Sequence, residues 1–180
     1  MRRKTFDLLV SSAGAVAAIA LLLVGVLVLV GANFANSNVT DNLRPQNISF
    51  PSAAALKDEG ITNQNILDHA GQKVENGGQA KVYSEYIDTH LKKINGGKTY
   101  SETSTEARAN PSDTALAGKV DTLFRGEMLR ATLLNAYGWW FVSQVAMWAG
   151  YTVIVLALIM LVLTALGFRH LRRTPETAQL

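Results

Sequence analysis

Two long apolar runs without a single charged residue, one near each end, constrain this chain more than any other feature. The first run, Leu8–Gly31, follows the basic stretch Arg2–Lys4, and the second, Trp139–Phe168, is followed at once by the basic stretch Arg169–Arg173. A helix needs about 20 apolar residues to cross a bilayer, where the backbone must satisfy its own hydrogen bonds. Both runs are long enough, so the sequence predicts two membrane-spanning helices.

The charges outside the runs predict the orientation. Residues 32–138 carry eleven Lys and Arg against twelve Asp and Glu, whereas the net charge of the whole chain is +3. The excess of positive charge therefore lies in the two terminal flanks, which marks them as cytoplasmic. We expect a multi-pass protein of the plasma membrane with both termini in the cytoplasm. The expected boundaries are 1–7 for the cytoplasmic N-terminus, 8–32 and 139–168 for the spans, 33–138 for an external domain, and 169–180 for the cytoplasmic tail.

A cleaved signal peptide is the main alternative for the first run. The apolar part of a signal peptide is usually about 7–15 residues long. The first run is longer than this, and we therefore interpret it as an anchor.

The segment between the runs has helical patterns. Its first part, 33–51, is rich in Asn and contains Pro45 and Pro51, and we expect irregular chain there. No later segment alternates as a strand should. The predicted elements are a short turn capped by Ser52, a helix from Thr62 through Val74 that ends at Gly77–Gly78, a helix over Val82–Ile94, a short helix over Ser101–Ala109, and a long helix from Pro111 into the second run, with Gly138 as a candidate hinge. The predicted fold class is an all-α membrane protein with two transmembrane helices flanking a small helical external domain.

Residue types that carry chemistry are sparse. The chain has no cysteine and three histidines, His69, His90 and His170. A metal set of His69, His90 and a carboxylate such as Glu85 or Asp88 lacks the short ligand spacing of known metal motifs. Neither run contains His, Asp, Glu, Lys or Arg, the residues that mark ion paths and proton relays in bilayers. We therefore expect no catalytic, cofactor-binding or metal-binding residue and no enzymatic activity, and the near-neutral middle segment argues against nucleic-acid binding.

Small residues recur at intervals of four and seven in both runs. Such residues let a second helix approach closely in a bilayer. Two explanations remain open at this stage: the two spans pack on each other, or each presents a groove to another protein. The residues are Gly14, Ala18, Gly25 and Ala32 in the first run, and Ala146, Gly150, Ala157 and Thr164 in the second.

Charged residues precede the second run, and aromatic residues lie at its start. Arg125, Glu127 and Arg130 lie shortly before it, and either pair with charges of a partner or of lipid headgroups, or form a solvated helix face. The aromatic cluster at Tyr137 and Trp139–Phe141 is typical of residues at the headgroup level of a membrane. A contact with a neighbouring subunit is the alternative for this cluster.

Several segments resemble a family of small actinobacterial two-span membrane proteins, the prokaryotic respiratory supercomplex association factors. They are the start Arg2–Asp7 (RRKTFD), the turn Gly96–Ser101 (GGKTYS), and Thr122–Arg130 (TLFRGEMLR), which continues through Leu133–Tyr137 (LLNAY) into the second run. The resemblance covers nearly the whole chain. Members of this family often carry the label aromatic ring-opening dioxygenase, but a non-haem iron site needs two His and a carboxylate together, and the residues of this chain give that label no support.

The resemblance implies a non-catalytic accessory subunit of the cytochrome bcc–cytochrome oxidase supercomplex, which supports association or stability. Haem and copper would then belong to the cytochrome bcc and cytochrome oxidase subunits, and membrane lipids would be further partners. The interaction candidates are Gly14, Ala18, Gly25, Ala146, Gly150, Ala157, Arg125, Glu127 and Arg130. A stand-alone membrane-anchored sensor or ligand-binding module with an external helical domain is the alternative, and a deep pocket would favour it.

Overall fold

The fold is helical throughout the part of the chain that the computed structural model describes, residues 3–175. This part forms six α-helices and one 3-10 turn, and contains no strand. The first and last helices contain the two apolar runs and are long and apolar enough to cross a membrane. The elements are α1 (Arg3–Leu43), the 3-10 turn Arg44–Gln46, α2 (Ala53–Asp58), α3 (Gln64–Leu67), α4 (Gly77–Ile94), α5 (Tyr100–Ala109) and α6 (Thr114–Arg173).

The chain divides into two compact units. The hairpin unit comprises the described residues up to Phe34 and from Ser143 onward, and the helical unit comprises Ala35–Val142. Helices α1 and α6 each contribute one part to each unit.

In the hairpin unit, α1 and α6 pack antiparallel along a line of small residues. Gly14 lies against Thr164, and Gly25 lies against Gly150. The buried positions on both helices are spaced by seven residues, as in helices that pack through a heptad repeat. They are Ser11, Ala18, Gly25 and Ala32 on α1, and Ser143, Gly150, Ala157 and Thr164 on α6.

The closest approach of the two helices is at Gly25 and Gly150. A Cβ atom added to either glycine would lie 3.3 Å from the carbonyl oxygen of the other. A Cβ on Gly25 would also lie 2.7 Å from Cγ1 of Ile154, and one on Gly150 would lie 2.7 Å from Cδ2 of Leu29. In a membrane, lipid chains are as apolar as these side chains, so close backbone packing rather than the hydrophobic effect would hold the two helices together.

The helical unit has its own hydrophobic core. Leu56 and Ile66, from the two short helices α2 and α3, are fully buried. The loops around them are joined by backbone hydrogen bonds from Phe50 N to Gln72 O and from Val74 N to Ile48 O, both 2.9 Å long. The buried core residues are Val39, Leu43, Phe50, Leu56, Ile61, Ile66, Val74, Ala80, Val82 and Leu133.

The expectation of irregular chain from 33 to 51 is wrong for its first part. Helix α1 continues to Leu43 and is followed by the 3-10 turn that contains Pro45. Val39 and Leu43 are buried in the core of the helical unit, and Val39 extends the seven-residue spacing of the buried positions on α1. Tertiary packing therefore overrides the weak helix propensity of this Asn-rich stretch.

The expected helix from Thr62 to Gly77–Gly78 is also wrong. Only the four residues of α3 are helical, with Asn63 as the N-cap, and Val74 lies in an extended segment. Gly77 begins α4 instead of ending a helix, and the Asn76 side chain caps it by accepting from Gln79 N. A Cβ on Gly77 would overlap Trp140 and lie 3.0 Å from the Ala136 carbonyl oxygen, so this glycine lets α4 start directly against α6.

The remaining predicted helices are present, but α4 begins at Gly77 rather than at Val82, and α6 begins at Thr114 rather than at Pro111. Ser52 caps α2, and α4 ends at Asn95, where Gly96 and Gly97 adopt positive φ angles of 61° and 82°. Such angles favour glycine, which has no Cβ. Thr99 caps α5 in a capping box with Glu102, and its hydrogen bonds lower the pKa of the Glu102 carboxyl. Helix α6 is continuous and includes Gly138, the candidate hinge.

The hairpin can be tested with a designed disulfide, because the chain has no cysteine of its own. The Cβ of Ser11 lies 3.6 Å from the position of a Cβ on Gly167, within the range for a disulfide. We expect the S11C/G167C variant to form an intramolecular disulfide when isolated membranes are oxidised, and the S12C/G167C variant to form much less.

A further substitution in the S11C/G167C variant tests whether the Gly25 contact is needed for the two helices to pack. Adding Gly25→Leu should lower the disulfide yield, since the larger side chain would collide with α6. Gly31→Leu is the matched control, because a Cβ on Gly31 has no neighbour within 4 Å. Equal yields with both leucine variants would contradict close packing at Gly25.

Candidate functional site

The small residues predicted as interaction candidates lie in the hairpin unit. Ala18 and Ala157 are fully buried, and Gly14, Gly25 and Gly150 face the opposite helix of the same chain. Of the two explanations left open by the sequence, packing of the two spans on each other is the one that these contacts satisfy. A contact of Gly14, Ala18, Gly25, Ala146, Gly150 or Ala157 with another protein stays a prediction.

The small residues predicted from the sequence did not include Ser11, Ser143 or Gly167, which belong to this packing line. Ser11 is buried, and its Oγ lies 2.6 Å from the position of a Cβ on Gly167. The signal was present, since Ser11 continues the seven-residue spacing of Ala18 and Gly25 toward the N-terminus.

Arg130 joins α6 to α4 through an ionic network. Its Nη1 donates to both carboxylate oxygens of Glu127, at 2.9 and 2.8 Å, and lies 3.0 Å from Oδ1 of Asp88. The other oxygen of Asp88 accepts a hydrogen bond of 2.7 Å from Lys92. The network therefore contains two cations and two carboxylates, and its charges are balanced within the chain.

Arg125 occupies a different environment on the same helix. Among the described residues it pairs only with Asp121, one turn away at 2.9 Å, and its side chain is 78% exposed, compared with 23% for Arg130. Of the three predicted charged candidates, Arg130 and Glu127 have intramolecular partners in an ionic network, whereas Arg125 is the most accessible to a partner or a lipid headgroup.

Glu59 is the centre of a second polar cluster in the helical unit. The Tyr86 hydroxyl donates to its carboxylate at 3.1 Å, and Nδ1 of His90 lies 3.8 Å from the same carboxylate. Lys93 donates to the Glu59 backbone carbonyl. Burial and the neighbouring Glu59 charge raise the pKa of Tyr86 to about 12, so its hydroxyl remains a donor at neutral pH.

His69 and His90 do not come together. Between them lie three aromatic rings, with successive centroid distances of 5.4 Å (His69–Phe50), 5.1 Å (Phe50–Tyr83), 5.5 Å (Tyr83–Tyr86) and 6.0 Å (Tyr86–His90). Asp88 belongs to the Arg130 network instead. Within residues 3–175, no three His, Asp or Glu side chains are grouped as ligands of a metal ion.

The aromatic residues at the start of the second run divide into two groups. Trp140 is partly buried against the core of the helical unit, where it contacts Gly77 and Gly78. Trp139 and Phe141 are exposed, and the Lys81 ammonium lies 5.1 Å from the centre of the Tyr137 ring. Trp139 and Phe141 therefore remain available for the membrane surface or for another protein, but Trp140 does not.

An open groove of about 270 Å³ lies on the outer side of α6. It is lined by Asn135, Gly138, Trp139 and Val142, which all belong to this one helix. Three of the four are exposed apolar or small residues, and Asn135 supplies the polar atoms. Its shape is that of a surface groove and not of an enclosed ligand pocket.

Taken together, the fold and these sites define an all-helical chain with two helices long and apolar enough to cross a membrane. No family model, no curated protein and no solved structure matches the chain.

The two arginines on α6 provide a matched test of the ionic network. We expect Arg130→Ala to destabilise the solubilised protein by about 1–2 kcal/mol, because it leaves two partly buried carboxylates with fewer partners. Arg125→Ala should cost less than about 0.5 kcal/mol, as is usual for an exposed pair. Urea unfolding followed by tryptophan fluorescence measures both, and a double-mutant cycle with Asp88→Asn isolates the coupling. Equal effects of the two alanine variants would contradict a structural role for Arg130.

Proposed function

We propose that this chain is a non-catalytic accessory subunit of a respiratory cytochrome bcc–cytochrome oxidase supercomplex. The type of complex comes from the resemblance of Arg2–Asp7, Gly96–Ser101 and Thr122–Arg130 to the supercomplex association factors. In this proposal the chain performs no redox step, and the haems and copper are held by the partner subunits.

The observation that carries the proposal is the hairpin unit. Its two helices bury their small residues against each other and leave large apolar side chains on the outside; Leu27, for example, is 70% exposed and Trp148 73% exposed. Exposed apolar surface of this extent requires lipid or another membrane protein around it. A packed hairpin with an apolar outer surface can therefore dock beside a larger membrane subunit without rearranging its own helices.

We further propose that both termini are cytoplasmic and that the helical unit is outside the plasma membrane. The basic flanks support this orientation, because positively charged flanks remain on the cytoplasmic side. The helical unit would then offer the exposed Arg125 and the exposed aromatic residues Trp139 and Phe141 to the external part of a partner.

Single-cysteine variants test the orientation. Ser112→Cys lies in the exposed turn before α6, and Thr5→Cys lies at the exposed start of α1. A membrane-impermeant maleimide added to intact cells should label S112C and leave T5C unlabelled, while both should react after the membrane is opened. Labelling of T5C in intact cells would refute the orientation.

The accessory role is tested by affinity purification from native membranes. A tag on this chain should recover haem with the absorption bands of b-, c- and a-type cytochromes, together with quinol oxidase activity. Membranes without the tagged chain are the control for nonspecific recovery.

Chemical crosslinking before solubilisation retains partners that detergent would remove. Recovery of this chain without haem, both with and without crosslinking, would contradict the proposal and leave the sensor or ligand-binding module as the alternative.

A further inference from the structure

One face of α6 in the helical unit is apolar and exposed. Its first residue, Phe124, contacts Tyr100 of α5, with ring centroids 5.9 Å apart. The residues of this face follow one another at steps of four and three, the spacing of a heptad repeat. Phe124 is 49% exposed, Met128 54% and Val142 57%. This outer stripe consists of Phe124, Met128, Ala131, Asn135, Gly138 and Val142.

Charged residues on the same part of α6 lie beside the outer stripe and not within it. Arg125, Glu127 and Arg130 fall at other heptad positions. Asp121 lies one heptad step before Phe124, where it pairs with Arg125 at 2.9 Å. A solvated helix face normally carries charge. An uncharged stripe of this length instead has the composition of a helix–helix interface.

Asn135 is the one polar residue of the outer stripe. Its side chain makes no hydrogen bond with any residue in the described part of the chain. In parallel helix pairs, a single Asn among apolar stripe positions pairs with the same Asn of the other helix and fixes the register. The Asn135 amide has both a donor and an acceptor, so it is complementary to itself.

Gly138 lies one turn after Asn135 on the stripe. Because it has no side chain, a second helix could approach α6 closely there. A Cβ placed on Gly138 has no neighbour within 4 Å, and the groove of about 270 Å³ lies directly over it. A glycine that no contact within the described chain requires lowers helix propensity. Close packing of a second helix backbone against α6 would explain a glycine at this position.

We propose that two copies of this chain associate through the outer stripe, with α6 parallel to α6 and Asn135 hydrogen-bonded to Asn135 of the second copy. Copies inserted in one membrane share one orientation, so their α6 helices run in the same direction. A two-fold axis then pairs each stripe residue with itself, and an uncharged stripe tolerates this pairing.

The flanking charges are compatible with this arrangement. In a parallel pair, residues on either side of the stripe face positions five residues away on the other helix. Arg125 would face Val120 of the second copy, and Glu127 would face Thr132. No like charges oppose each other at these flanking positions. Asp121, one heptad step before the stripe, would face Asp121 of the second copy, and its charge is balanced by Arg125 at 2.9 Å. The inference depends on membrane insertion but not on the accessory role, and the two can fail separately.

Disulfide trapping in native membranes tests the contact. Met128→Cys and Ala131→Cys place single thiols on the stripe, while Leu129→Cys is the control, because it lies on the same helix, 44% exposed, but off the stripe. After oxidation, we expect at least about five-fold more dimer for M128C and A131C than for L129C, as the heptad geometry requires. Equal dimer yields at the three positions would overturn the proposal.

A charge-pairing experiment separates a second copy from any other partner. Ala131→Glu and Ala131→Lys, each combined with M128C, should lose the dimer when expressed alone, because the introduced charges meet their own copies. Co-expression of the two variants with different tags should restore a dimer that contains both tags. Failure of co-expression to restore the dimer, or crosslinking of the M128C thiol to a different protein only, would overturn self-association.

Discussion

The close approach of α1 and α6 at Gly25 and Gly150 is the constraint on which the hairpin depends. Inside a membrane the hydrophobic effect does not drive helices together, so contact relies on small residues that let the backbones approach. The same seven-residue spacing on α1 continues beyond the apolar run, but the residue size changes from Ala32 to Val39. In the helical unit, larger apolar side chains are buried, and in the proposed topology this unit faces water, where the hydrophobic effect contributes. In that topology the same repeat packs α1 in both environments, with small residues in one and larger residues in the other.

Much of the fold follows from local sequence signals. The apolar runs, the Ser52 cap, the glycine stop at Gly96–Gly97 and the long final helix are each specified by residues close together in the chain. The two wrong elements have a common cause. Gly77–Gly78 has the composition of a helix end, and the Asn-rich stretch after Asn33 that of a loop, but each is helical because of contacts with distant residues. Such contacts, for example Gly77 with Trp140, are invisible in a single sequence.

The candidate site residues also divide into features that local sequence predicts and features that depend on contacts with distant residues. The spacing of Gly14, Gly25 and Gly150 was sufficient to predict helix packing, but only the structure shows that the partner helix belongs to the same chain. Arg125 and Arg130 are equivalent in sequence terms, since both lie on α6 near an acidic residue. They differ because Asp88, on a separate helix, reaches Arg130, whereas the described residue that pairs with Arg125 lies on α6 itself. The identity of an ionic partner depends on tertiary structure, and it cannot be predicted from the periodicity of the sequence.

Helix α6 therefore has two faces with different requirements. Its inner face packs against other residues of the same chain, so a larger side chain there would collide with them. The outer stripe has fewer such contacts in a single copy, and no contact within the described residues requires a glycine at Gly138. An exposed Asn outside the apolar run is well hydrated and costs a single copy little, but burying it against a helix without a partner amide would leave it unsatisfied. Asn135 thereby disfavours association with unrelated apolar helices, and a matching amide at the same register removes that penalty.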